Sequence, residues 1–138
     1  MSADMTAKSA LISRQERADE AVARFREPLG EGRRISCAQA VAIAYADLAG
    51  LTEKQAMNMT AGFGGGMGKR QTCGVVTAML MITGLSGKGE KCRGVMDTFE
   101  EKKGSTMCGE LLEKYGEEYC SSLVRCAAEL MNTQVFSR

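Results

Sequence analysis

Two segments constrain this chain most: CAQAVAIAYADLA at residues 37–49 and CGVVTAMLMITGL at residues 73–85, each almost wholly apolar. Ser36 precedes the first as an N-cap and Gly50 follows it as a C′ glycine, while Thr72 precedes the second, so each is predicted to be a helix. A helix that is apolar all round must be buried, so the remaining chain has to cover both. It has the means, because period-3.6 patterning dominates and strand-like alternation is scarce. The expected fold is all-α, a compact bundle of about five to seven helices around these two central ones.

The covering elements are readable in turn. Within residues 1–30 an amphipathic helix is predicted from about Ala7 to Arg26, with Leu11, Ala18, Ala21, Val22 and Phe25 on one stripe and Pro28 ending it. A turn is expected over Gly30–Arg34, and Thr52 caps a short helix, EKQAMNMTAGF. Gly87 to Lys103 reads as a turn and a solvent-facing helix holding Cys92 and Phe99. Ser105 or Thr106 caps TMCGELLEKYG, with Glu110 near N3 of a loose capping box, and the last helix is YCSSLVRCAAELMNTQVF. With 138 residues and 44% apolar content, residues 1–138 are read as a single helical domain.

Charge excludes some classes of partner. Lys plus Arg is 18 against 17 for Asp plus Glu, interspersed, so no field points to nucleic acid or an anionic membrane. MSADMTAKSALISRQERADEA lacks the apolar run of a secretory signal, and no segment has the roughly 20 apolar residues of a membrane span, which predicts a cytoplasmic protein. In a reducing compartment six cysteines point to metal binding or redox chemistry rather than structural disulfides. Histidine is absent, which removes Cys-His nucleophile pairs, His-ligated zinc and the C-x-x-C-H haem motif.

Four of the cysteines share a local setting. Cys37, Cys73, Cys108 and Cys120, separated by 36, 35 and 12 residues, each fall at or near the start of a different predicted helix. Unpaired N–H groups and the positive end of the helix dipole there favour thiolate, and thiolate is the form that ligates metal or attacks disulfides. Converging helix starts would bring the four onto one iron–sulfur cluster or one tetrahedral zinc. The other openings are a reactive pair, with Cys73 and Cys37 as the candidate redox thiols, or scattered core cysteines. Cys126, mid-helix on an apolar strip, reads as packing; Cys92, between Lys91 and Arg93, is left unassigned.

The stretch GFGGGMGKRQTCG, Gly62 to Gly74, resembles a phosphate loop and fails as one. Phe63 stands where a Walker A motif needs glycine, Arg70 follows Lys69 where Ser or Thr is needed, and no G-x-G-x-x-G register closes. The dense glycines predict either a tight connection or a close backbone approach. In the second case N–H groups at Gly64, Gly65, Gly66 and Gly68 form a nest for an anion, sulfide or thiolate beside Cys73.

Taken together, SCAQAV with Cys37, GFGGGMG running into TCGVVTAMLMITGL with Cys73, GSTMCGELL with Cys108 and YCSSLVRCAAEL with Cys120 resemble the redox-active protein family named for the pattern C…GCAxxG…C…C, over about residues 36 to 130. Gly74 replaces the named alanine and Thr77 stands where the closing glycine is expected. The resemblance implies a small helical protein with a redox role in which Cys37, Cys73, Cys108 and Cys120 match the family's cysteines. It also implies an iron–sulfur centre, as in related domains that occur alongside split-Soret type multihaem cytochromes. The expected cofactor is an iron–sulfur cluster, most simply [2Fe–2S], with zinc or no cofactor as alternatives. The expected function is electron transfer with an unidentified redox partner protein, the domain pairing as a homodimer, with thiol–disulfide chemistry or structural zinc as the alternatives.

Overall fold

The computed structural model describes residues 14–63, 69, 71–116 and 120–136. Seven α-helices and one two-stranded hairpin are found among them: α1 (Arg14–Arg24), β1 (Pro28–Gly30), β2 (Arg33–Arg34), α2 (Cys37–Tyr45), α3 (Glu53–Met59), α4 (Gly74–Leu85), α5 (Cys92–Lys103), α6 (Cys108–Tyr115) and α7 (Cys120–Leu130). The protein is mostly helical, and α2 and α4 are its apolar centre. Every residue of α2 from Ala38 to Tyr45 is buried, and α4 buries Val75, Val76, Ala78, Met79 and Ile82. These two pack on each other, α1 lies against α2 and α7, and α5 against α4 and α7. None of the helices is long and apolar enough to cross a membrane, among the described residues.

Local chemistry explains where the elements begin. Ser36 closes a capping box on α2: its hydroxyl accepts from the Gln39 N–H at 3.2 Å, and the Gln39 side chain accepts from the Ser36 N–H at 3.0 Å. The same Gln39 amide donates to the Met57 carbonyl at 3.1 Å, fastening α3 to α2. Thr52 and Gln55 build a second box at the start of α3. After Tyr45 the chain tightens to a 3₁₀ turn, Ala46–Ala49, ended by Gly50 at φ +77°, the left-handed stop expected there. Phe99, expected on a solvent-facing helix, is fully buried one turn from Val95, so α5 turns an apolar edge inward.

Three expectations are corrected. The first helix ends at Arg24 rather than Arg26, and its part before residue 14 lies outside the described residues. The expected turn is a short antiparallel hairpin pairing Pro28 with Arg34 and Gly30 with Arg33, too brief to leave a period-2 pattern. The last helix stops as an α-helix at Leu130 and continues as a π-helical turn, Met131–Val135. That turn is held from the centre of the bundle: the Tyr45 hydroxyl bridges the Ala128 carbonyl at 3.0 Å and the Asn132 side chain at 2.5 Å, and its ring stacks on Phe136 at 5.8 Å.

Candidate functional site

Cys37, Cys73 and Cys108 sit at helix starts, positioned by different means, and Cys120 is the first described residue of α7. Cys37 is the first residue of α2, directly after the Ser36 cap. Cys73 is itself the N-cap of α4, so Thr72 is not the cap. Thr72 instead forms an antiparallel bridge with Met107, in which the Cys73 N–H donates to the Thr106 carbonyl at 2.7 Å and the Cys108 N–H to the Gln71 carbonyl at 2.6 Å. Two backbone bonds thus clamp the cysteines of α4 and α6 side by side. Cys108 opens α6 behind Met107 rather than behind Ser105 or Thr106; Ser105 accepts from the Met107 N–H and donates to Glu110, a displaced version of the expected box.

Tertiary packing brings the four to one place. Cys37, Cys73, Cys108 and Cys120 line a single cavity of about 230 Å³, with Phe25, Val75, Leu111 and Leu123 among its apolar walls. None of the six cysteines is in a disulfide. Among the described residues no three Cys, Asp or Glu side chains are gathered tightly enough to hold a single metal ion. Four soft sulfur donors thus line one mainly apolar cavity, a donor type that suits soft metal centres in general.

The electrostatics of the site reverse an expectation. Burial pushes the Cys37 thiol up to about 12; charge on Cys73 and Cys120 adds to the rise, and the Ala38 N–H opposes it. Burial likewise pushes Cys73 up to about 11, against the N–H groups of Val75 and Val76, with Cys108 and Cys120 raising it further. The helix-start effect is present, yet desolvation outweighs it. Both thiols are therefore protonated near neutral pH, the reverse of the lowered Cys73 pKa expected from its helix start. Because these folded values lie above the ordinary 9, the stability these thiols contribute is fully present below pH 9 and is lost as pH rises from 9 toward 12. Metal-free protein should show a lower urea midpoint at pH 10.5 than at pH 8, and a smaller drop in the Cys37→Ala/Cys73→Ala variant. An equal drop in both would refute this assignment.

A family model described as "Putative redox-active protein (C_GCAxxG_C_C)" matches residues 35–134, a stretch holding all four cavity cysteines. The chain belongs to that family. No curated protein and no solved structure matches it.

Within the C_GCAxxG_C_C pattern, the glycine at position 74 has a physical cause. A Cβ built there would collide with the Phe63 carbonyl oxygen and lie 3.0 Å from the Phe63 carbonyl carbon and 3.2 Å from the Ala38 Cβ. The close backbone approach expected of the glycine-rich stretch is therefore real at Gly74. Gly64, Gly65, Gly66 and Gly68, expected to form an anion nest, lie outside the described residues. Restoring alanine with Gly74→Ala should cost about 1–3 kcal/mol of stability, read by denaturant titration, because backbone rather than a flexible side chain must yield. A neutral result would mean that Phe63 moves freely.

The two remaining cysteines lie elsewhere. Cys92 also begins a helix, α5, but its thiol is 3.6 Å from the Leu80 carbonyl, away from the cavity. A helix start is thus not what selects the four. Cys126 is buried mid-helix in α7, as the packing reading held, and borders a second, polar cavity with Lys103 and Arg125. The sequence gives no sign that Phe25 and Arg26 line the thiol cavity. Both had been read as the end of the first helix, and only the turn after Arg24 brings them to the cysteines.

Proposed function

We propose that this protein is a small electron-transfer protein in which Cys37, Cys73, Cys108 and Cys120 bind an iron–sulfur cluster, most simply [2Fe–2S]. The observation that carries this reading is convergence: four thiols from four helices, 36, 35 and 12 residues apart, line one apolar cavity of about 230 Å³. Such a group, bound there, supplies one-electron transfer. The chain's own part is to deliver four sulfurs, direct the N–H groups of Ala38, Val75 and Val76 toward sulfur, and keep water out with Val75, Leu111 and Leu123. Hydrogen bonds to sulfur and apolar walls are the levers that set the potential of such a centre.

Protein expressed and purified without oxygen should be coloured and contain iron and sulfide in equal amounts. Colourless, metal-free protein after careful anaerobic work would sink the reading. Zinc without sulfide would move it to a structural metal domain, and a disulfide between two of the four thiols would move it to thiol–disulfide chemistry.

A further inference from the structure

One wall of the thiol cavity is built by the helix least tied to the rest of the molecule. Cys108, Leu111 and Leu112 of α6, with Gly116 just beyond it, line that side. Along its eight residues α6 buries only Cys108 and Leu111, whereas α2 buries every residue from Ala38 to Tyr45. Among the described residues α6 is also the one α-helix that packs extensively against no other element. By contrast α2, α4 and α7, which position the other three cysteines, all pack on one another. Local opening of a protein begins at elements with few buried apolar contacts, so this wall yields before the core does.

The ends of α6 suit movement as a unit. Gly104 before it and Gly116 after it have φ +88° and +81°, where glycine turns without the strain other residues would carry. Two latches hold the helix in place. At its start the Thr72–Met107 bridge ties it to the beginning of α4, through the Cys73 N–H to the Thr106 carbonyl and the Cys108 N–H to the Gln71 carbonyl. At its end the Tyr115 hydroxyl donates to the carbonyl of Lys103, the last residue of α5, at 3.0 Å. Releasing both and withdrawing Leu111 uncovers the cavity while α2 and α4 stay packed.

We propose that α6 is a door to the thiol cavity, hinged at Gly104 and Gly116 and latched by the Thr72–Met107 bridge and Tyr115, whose opening admits the group the thiols bind. Closed, it keeps Cys73, only 4% exposed, away from reagents too large for a cavity of about 230 Å³. Opening carries Cys108 away from Cys73, so entry or loss of the bound group and exposure of the thiols are one event. The door concerns access alone and operates in metal-free protein. Its failure leaves the iron and sulfide content unaddressed, and colourless, metal-free protein leaves the door untouched.

The test uses the full chain, metal-free, with a cross-link across the first latch. Thr72 and Met107 form a non-hydrogen-bonded antiparallel pair, whose Cα atoms lie about 4.5 Å apart, within reach of a disulfide. Thr72→Cys with Met107→Cys, oxidised and the link verified by peptide mass, should hold the door shut. The probe is a maleimide carrying a polyethylene glycol chain, too large for the cavity, with attachment at Cys73 read by peptide fragmentation. In the wild type Cys73 labelling should outrun deuterium exchange at the α2 amides, the measure of global unfolding, each rate referred to an unfolded peptide. Cross-linking should slow labelling at least about tenfold, and reducing the link should restore it. Exchange at the α6 amides, which thiol acidity does not touch, should slow in parallel. Tyr115→Phe, lacking the second latch, should speed labelling several-fold and leave α2 exchange unchanged. Equal labelling in linked and reduced protein, or labelling that never outruns α2 exchange, would overturn the door. If the link does not form, an unchanged labelling rate in Tyr115→Phe overturns it instead.

Discussion

Replacing any one of Cys37, Cys73, Cys108 or Cys120 by serine should strip the anaerobically prepared protein of most of its iron and sulfide, whereas Cys92→Ser and Cys126→Ser should leave both unchanged per folded molecule. The difference follows from position, since the first four line one cavity and the other two do not. Serine keeps the shape but offers a hard oxygen with a far higher pKa, a poor substitute for a soft thiolate. Losing a direct ligand should weaken retention by more than the roughly 10–100-fold typical of changes to outer-shell partners. Iron and sulfide assays on six single variants, each checked for helicity, would read the result. Loss of iron from Cys92→Ser would overturn the assignment of the four, as would full retention in Cys73→Ser.

Arg17→Met should be the most damaging single change outside the cavity, costing about 3–5 kcal/mol and lowering the thermal midpoint by roughly 10 °C. Arg17 reaches from α1 to the end of α2, where its guanidinium grips both carboxylate oxygens of Asp47, at 2.6 and 2.8 Å, and donates to the Ala44 carbonyl at 2.9 Å. The two side chains are only 3% and 5% exposed. Removing the cation alone strips a buried carboxylate of its paired charge, and desolvation is then no longer offset. Replacing both partners, as Arg17→Met with Asp47→Leu, should recover most of the loss. A single variant that costs under 1 kcal/mol, or a double variant as unstable as the single, would show that the pair does not anchor α1 as described. The pair matters to the cavity too, because α1 leads directly into Phe25 and Arg26 at its wall.

Much of the local structure was legible in the residues. Ser36 and Thr52 act as N-caps, Gly50 ends the turn after α2, and the two apolar segments form the buried centre. Each of these depends on residues within about four positions of one another, so no distant contact could reverse it. Where a distant contact entered, the reading slipped. Thr72 was expected to cap α4, but pairing with Met107, 35 residues along, took it into a bridge and left Cys73 as the cap. Arg26 was expected to finish a helix, and backbone bonding to Ile35 turned it into the left-handed rim of the cavity.

The cysteines show the same division most plainly. Capping chemistry and apolar periodicity are local, so the residues alone put Cys37, Cys73 and Cys108 at helix starts and placed Cys120 in the last helix. They could not separate these from Cys92, which also begins a helix. Only the tertiary structure decided which starts share a cavity. It also decided the sign of the thiol pKa shifts, because desolvation and like-charge repulsion come from neighbours remote along the chain, and together these exceed what a helix terminus supplies.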